Sequence, residues 1–297
     1  MNILISGLIN TETTVPVRRF PVEYYPIDYP FFGVRTAASG VAYNIARALT
    51  TLGDQVKLLS MTGRDFSASY IAAELQAAGI GTAHVKPRLA ETPSSVVLYD
   101  PEGKRQIYCD LKDIQEASYG FTPDLLEDVD LVVACNINFN RPLLRLAKAA
   151  GKRIATDVHV LRDIWDCYNR DFIEYADILF LSDEGIGWDH HAFLMDLAHS
   201  CGAQIIVLGR GSRGAAMYVR GEDRIHDLPA ARVGEVVNTV GAGDALFSAF
   251  VHYSAKGLSP VAALVRAQVF AAAKIGTSGA SRGFVTEETL EKLCQNQ

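Results

Sequence analysis

From Leu131 onward the chain alternates short, uninterrupted apolar runs with longer segments of helical periodicity. The apolar runs fall at 131–134, 178–181 and 205–208, with a further strand candidate at 153–157, and the helical patterns at 142–150, 172–175 and 191–200. A four- or five-residue run with no polar alternation has no face to offer water, so it must be covered on both sides. Strands of that kind, each followed by a helix, specify a parallel sheet between two helical layers. At 297 residues, 49% of them hydrophobic and 21% charged, the chain is long enough for one large α/β domain with a small appendage.

The N-terminal half is more varied. A buried strand is expected at 3–6, ending at Gly7, and a helix at 41–52, with Ile45, Ala48, Leu49 and Leu52 on one face and Gly53 as its stop. A strand at 56–60, a helix at 69–78 and strands near Val85 and at 95–99 follow. DPEG, residues 100–103, separates two alternating stretches and predicts a hairpin. The segment 11–35, with its prolines and Phe20, Tyr24, Tyr25, Tyr29, Phe31 and Phe32, suits neither a loop nor a helix and reads as a separate small sheet. Near the C-terminus one helix is expected to start at Asp244 and stop at Gly257. The next has Ser259 as N-cap and Pro260 in its first turn.

A net charge of −6 with no basic patch argues against nucleic acid as a partner. Five cysteines without a CxxC pair or a zinc spacing suit a reducing compartment. The opening MNILISGLIN has no basic n-region, and its apolar run is too short for a signal peptide or a membrane span, so a cytoplasmic location and no membrane partner are expected.

GRGSRG, residues 209–214, matches the dinucleotide pattern GxGxxG after a strand. That fingerprint works only where a helix begins at the last glycines and points its amides at the pyrophosphate. Here AAMYVRG follows, which alternates as a strand, so the glycines read as a hairpin turn. Gly209, Gly211 and Gly214 could still let a nucleotide approach the backbone.

NTVGAGDALFSAF, residues 238–250, sets a glycine turn before a helix. Asp244 in a first helical turn complements the dipole and needs no other role. Gly241 and Gly243, however, allow the amides of Ala242, Gly243 and Asp244 to face one concavity, an anion hole. A carboxylate on its rim would repel a resting phosphate yet could take the proton of an attacking hydroxyl, while the amides stabilise the charge of a phosphoryl group in transfer.

This stretch resembles the D-T-x-G-A-G-D signature of the ribokinase-like (PfkB) family of sugar and nucleoside kinases. Further likenesses follow in order: GLINTE (7–12), SGVAYNIARALTTLG (39–53), MTGRDFSASYIAAELQAAGI (61–80), TPSSVVLYDPEGKR (92–105) and Gly279 with Ala280. The resemblance implies a three-layer α/β/α core with a mainly parallel central sheet and a small β-sheet lid. The core would comprise 1–8, 36–92 and 117–297, the lid 9–35 and 93–116. It implies Asp244 as general base, with Gly241, Ala242 and Gly243 completing the catalytic turn, and Mg²⁺-bound ATP as donor. Asn10, Glu12, Ser39, Gly40 and Asn44 would bind the acceptor, with Glu12 one methylene longer than the family's Asp and Ser39 in place of a glycine. Gly209, Gly211, Gly214, Thr239, Gly279 and Ala280 would lie along the nucleotide.

Three departures stand out. Asn238 replaces the first Asp of the signature, which in many members belongs to a loop holding a monovalent cation; this weakens the case for potassium, and Arg282 in the facing SGASRGF could supply charge instead. The family's N-x-x-E element, which helps organise magnesium, corresponds to SDEG (182–185), leaving Asp183 and Glu184 as candidate metal ligands or Ser182 and Asp183 as helix caps. DVHVLRDIW (157–165) is similar to a fructokinase-like D-P-N-x-R-x-x-L-W, with His159 for Asn and the arginine displaced to Arg162; His159 reads either as a site residue or as a structural one. The expectation is a kinase of a small sugar or, alternatively, a nucleoside, with the lid aromatics either stacking on a base or forming the lid's own core. A catalytically weak binding protein is the reading from another class. A homodimer through the lid is a further expectation.

Overall fold

The computed structural model describes residues 1–187 and 189–295. In chain order the elements are β1 (Asn2–Ser6), β2 (Asn10–Pro16), β3 (Arg35–Ser39), α1 (Val41–Thr51), β4 (Gln55–Thr62), α2 (Phe66–Ala77), β5 (Val85–Pro87), β6 (Ser94–Tyr99) and β7 (Arg105–Asp110). The second half continues with β8 (Leu131–Ala134), α3 (Arg141–Ala149), β9 (Arg153–Val160), α4 (Arg170–Tyr175), β10 (Ile178–Ser182) and α5 (His190–Ser200). It ends with β11 (Ile205–Gly209), β12 (Ala215–Val219), β13 (Arg224–Leu228), α6 (Ala242–Ala255), α7 (Pro260–Lys274) and α8 (Glu287–Cys294).

Nine strands form the central sheet in the order β13-β12-β11-β10-β9-β8-β1-β4-β5. All neighbours pair in parallel except β11 with β12 and β12 with β13, which are antiparallel hairpins at one edge. Successive side chains of a strand point to opposite faces, and they divide the core in two. Ile3, Ile5, Leu131, Val133, Ile178, Phe180, Ile205 and Val207 pack with α1, α6 and α7. Leu4, Val132, Leu179, Ile206 and Leu208 pack with α3, α4 and α5 on the other side. The result is the three-layer α/β/α sandwich that runs of unbroken apolar strand residues require. No helix among the described residues is long and apolar enough to cross a membrane.

A second, four-stranded sheet, ordered β3-β2-β6-β7, forms the lid. Its β6 and β7 are the hairpin around DPEG, closed by Asp100, whose carboxylate accepts the N–H groups of Glu102 and Lys104. The strand pairing carries the lid on to Ser39, beyond the expected boundary at Arg35, because the turn into α1 comes only at Gly40. Gly40 has φ +99°, and a Cβ there would lie 2.6 Å from the Leu8 carbonyl. The aromatics of 17–34 are not the lid's own core: Tyr24, Phe31 and Phe32 are exposed on an irregular excursion between β2 and β3.

The starts of α2 and α6 precede the expected residues because of caps. The Asp65 carboxylate accepts the Ala68 N–H, so α2 begins at Phe66 rather than Ser69. Helix α6 begins at Ala242 rather than Asp244, with Gly241 as its N-cap. Asp244 therefore sits inside the first turn.

Candidate active site

The N-terminus of α6 is the centre of the site. Gly241 takes the left-handed conformation (φ +78°), and a Cβ on it would lie 2.4 Å from the Ala280 carbonyl. Glycine is thus required twice, by conformation and by space. The turn is fastened from behind: the Val237 and Asn238 N–H groups donate to the Ile275 carbonyl at 2.9 and 3.0 Å, and Asn238 Oδ1 accepts the Val240 N–H at 2.7 Å.

The expected trio of free amides is a pair. The Ala242 N–H donates to the Thr239 carbonyl at 3.2 Å, closing the turn. The Gly243 and Asp244 N–H groups have no partner among the described residues, as the opening of an α-helix leaves them. Thr239 and Ala280 flank this turn through their backbones, as the contacts above show, and Gly279 precedes Ala280 with φ +94°. Gly209, at the end of β11, faces Leu246 of α6. Gly211 and Gly214 belong to the β11–β12 hairpin, where Gly214 packs so tightly on the Leu228 carbonyl that no side chain fits. GRGSRG is accordingly a hairpin turn, and no helix starts there.

Asp244 is half-buried, and its Oδ2 accepts a hydrogen bond from Asn44 Nδ2 at 2.7 Å, across two hundred residues of sequence. Burial raises its carboxyl to about 6, with the charge of His159 and the Asn44 hydrogen bond opposing, Asp157 adding to the rise and Lys274 opposing it. His159 is held at the C-terminal end of β9 with φ +60°, its N–H donating to Asp157 Oδ1 at 2.8 Å. A non-glycine residue in that conformation carries strain that surrounding structure must offset, and here it brings an imidazole and a second carboxylate into the electrostatic surroundings of Asp244.

On the lid side, Asn10 Nδ2 donates to Ser95 Oγ at 3.1 Å, and Ser39 Oγ donates to Glu12 Oε2 at 3.3 Å. Burial raises the Glu12 carboxyl above its ordinary value, with Ser39, Lys274 and Arg105 opposing. Two buried acceptors, Asn10 Oδ1 and Asn44 Oδ1, have no partner. Buried polar atoms are seldom left open in this way.

The acidic element after β10 is altered in a way the sequence did not disclose. At Gly185 (φ +85°) a Cβ would lie 2.6 Å from Arg162 Nε, so the arginine side chain fills the room that a glutamate would need. Asp183 is engaged by Arg213, and Glu184 lies exposed on the turn. No cluster of three metal-ligating side chains exists among the described residues. Of the two candidate ligands, Asp183, directly after β10, would be the one to hold a magnesium ion that arrives on the nucleotide and keeps most of its water. The monovalent-cation loop does not fit an added ion: Asn238 is neutral, and its side chain is spent on Val240. Arg282 is exposed and lies over Gly279. The positive charge in the interior is instead Lys274, fully buried, whose Nζ donates to the Val240 carbonyl. A lysine closing an apolar helical run was its only trace in the sequence.

A family model described as pfkB family carbohydrate kinase matches residues 7–287. A microbiome-derived acarbose kinase superposes with a TM-score of 0.88 at 27% identity, covering 99% of both chains. Ribokinase of Arabidopsis thaliana, solved with ribose and ATP, shares the fold at a TM-score of 0.82 and 19% identity, over 99% of this chain and 98% of that one. The fructosamine kinase of Bacillus subtilis is 22% identical over 240 residues, 77% of this chain and 79% of its own length. With a match running from Gly7 almost to the C-terminal helix, the chain belongs to the pfkB family of carbohydrate kinases.

Proposed function

We propose that this kinase, working in the cytoplasm, transfers the γ-phosphoryl group of ATP to a hydroxymethyl group of a small sugar or sugar-like acceptor, with Asp244 as general base. The observation that carries this reading is the juxtaposition of a carboxylate, raised to about 6 and fixed by Asn44, with two unpartnered amides on the same helical turn. A base is most effective when its pKa lies near the working pH, since it is then ionised yet still basic.

The acceptor's hydroxyls satisfy Asn10 Oδ1 and Asn44 Oδ1 and share Glu12 with Ser39. Every one of these contacts is polar, which favours a sugar over a base-bearing nucleoside. Asp244 takes the proton of the reacting hydroxyl as its oxygen bonds to the γ-phosphorus and the bond to the ADP oxygen breaks. The Gly243 and Asp244 amides donate to the oxygens on which charge is spread in that transition state. Thr239, Gly279 and Ala280 shape the nucleotide side of the turn, with Gly209 opposite. Asp183 would hold the magnesium ion that the nucleotide carries, which would offset charge on the phosphates. Lid closure over the acceptor excludes water, the competing nucleophile.

The test is ADP release from Mg²⁺-ATP across a panel of ribose, fructosamines and acarbose, suggested by the relatives, with deoxyribose and the nucleoside inosine added, and with Asp244→Ala beside the wild type. We expect one or more sugars to stimulate turnover and the variant to lose it by about a hundredfold or more. A variant that keeps the wild-type rate refutes the role of Asp244; inosine as the sole acceptor refutes the sugar.

A further inference from the structure

Lys274 closes α7 with its side chain entirely inside the protein. A lysine is almost never fully buried unless its charge is matched, and this one has no carboxylate within ion-pair distance among the described residues. Its ammonium donates instead to the Val240 carbonyl, within the turn that precedes α6. It does so at the C-terminal end of α7, where the helix dipole favours a cation. The same end of α7 holds that turn through the Ile275 carbonyl. Burial draws the ammonium down to about 8 while Asp244 and Glu12 hold it up and Arg105 opposes, so it remains mostly charged at neutral pH.

Three facts thus converge on one small volume. The charged side chain that the cation loop resembles having is replaced by the neutral Asn238. The amide of Asn238 is occupied within its own turn. A carbonyl of the turn already receives an ammonium from the neighbouring helix.

We propose that Lys274 is a built-in monovalent cation: its ammonium holds the 238–241 turn, and with it the Gly243 and Asp244 amides, so that the kinase needs no potassium. Lys274 is in this view a positioning residue, acting through the turn. The inference rests on the phosphoryl-transfer reading of that turn, but its structural half does not depend on the acceptor being known.

The first arm therefore measures thermal unfolding of the ligand-free protein in potassium chloride and in tetramethylammonium chloride of equal ionic strength, for wild type and Lys274→Ser. The wild type should unfold at the same temperature in both salts, and Lys274→Ser should gain a few degrees in potassium alone, because the emptied site now binds the ion in the folded state only. A wild type stabilised by potassium, or a Lys274→Ser variant indifferent to it, overturns the proposal. The second arm uses turnover with whichever acceptor the panel yields. Wild-type kcat should be the same in the two salts. Lys274→Ser should lose kcat by about tenfold or more, with acceptor KM little changed, and regain much of it in potassium or ammonium. Lys274→Met, which fills the same volume without charge, should lose kcat and regain nothing; wild-type kcat in that variant overturns the proposal. Should no acceptor be found, the thermal arm still decides the question, and failure of the kinase reading remains separate from failure of this one.

Discussion

A carboxylate raised to about 6 has a cost in stability that its chemistry explains. The unfolded chain holds Asp244 at its ordinary 3.8, the folded chain at about 6. Folding must therefore disfavour the ionised form; the penalty is absent below pH 3.8, grows between the two values and is fully present above 6. The shift corresponds to about 3 kcal/mol. Asp244→Asn keeps an oxygen for Asn44 and removes the charge, so urea unfolding at pH 7.5 should show it more stable than wild type by about 1–3 kcal/mol. The gain should shrink as the pH is lowered toward 4, while turnover is lost by about a hundredfold or more at every pH. Wild-type kcat/KM should fall below pH 6 as Asp244 takes up its proton. At this scale the place of Asp244, in a first helical turn after a glycine pair, was legible because glycines mark it and the helical periodicity begins beside it. Lys274 was not, since a lysine in a last helical turn is the usual partner of the helix dipole. Nor was the exchange at Gly185, where Arg162, more than twenty positions upstream, occupies the space; such compensation exists only once the chain is folded.

The elements themselves followed from periodicity, and their ends did not. Unbroken apolar runs fixed β8, β10 and β11 in place, because only burial on both faces tolerates them. The starts of α2 and α6 moved to earlier residues because Asp65 and Gly241 act as caps, a local geometry that a hydrophobic pattern does not report. For α6 the difference has consequences: Asp244 lies in the first turn, and Ala242 spends its N–H on Thr239, so two amides rather than three remain free. The turn tolerates no side chain at its cap. Gly241→Ala would force a Cβ into the left-handed region and against the Ala280 carbonyl, and should cost about 1–3 kcal/mol in chemical denaturation. Because the cap sets the direction of both free amides, turnover should fall further than the lost stability explains. The informative readout is kcat measured well below the variant's unfolding midpoint, where the population is still folded. Unchanged kcat there would show that the amides play no part in transfer.

On the scale of the whole molecule, the lid sheet has an open edge. β7 lies at one edge of the lid sheet and pairs only with β6, and all six of its residues are exposed. Its Ile107 and Tyr108 are more than half exposed, and in the excursion between β2 and β3 Tyr24, Phe31 and Phe32 are 84–94% exposed. Single apolar residues at a surface are ordinary, but an open strand edge that carries them is available for pairing with another chain. The net charge gives no reason to expect a nucleic acid there, whereas a second copy of the chain would bring the same open edge, lid to lid about a two-fold axis. Sedimentation at micromolar concentration should then show twice the chain mass. Replacing the edge pair, Ile107→Lys with Tyr108→Lys, should give the single-chain mass with an unchanged unfolding midpoint for the core, since neither side chain is part of either layer's packing. A wild type that sediments as a single chain removes the dimer.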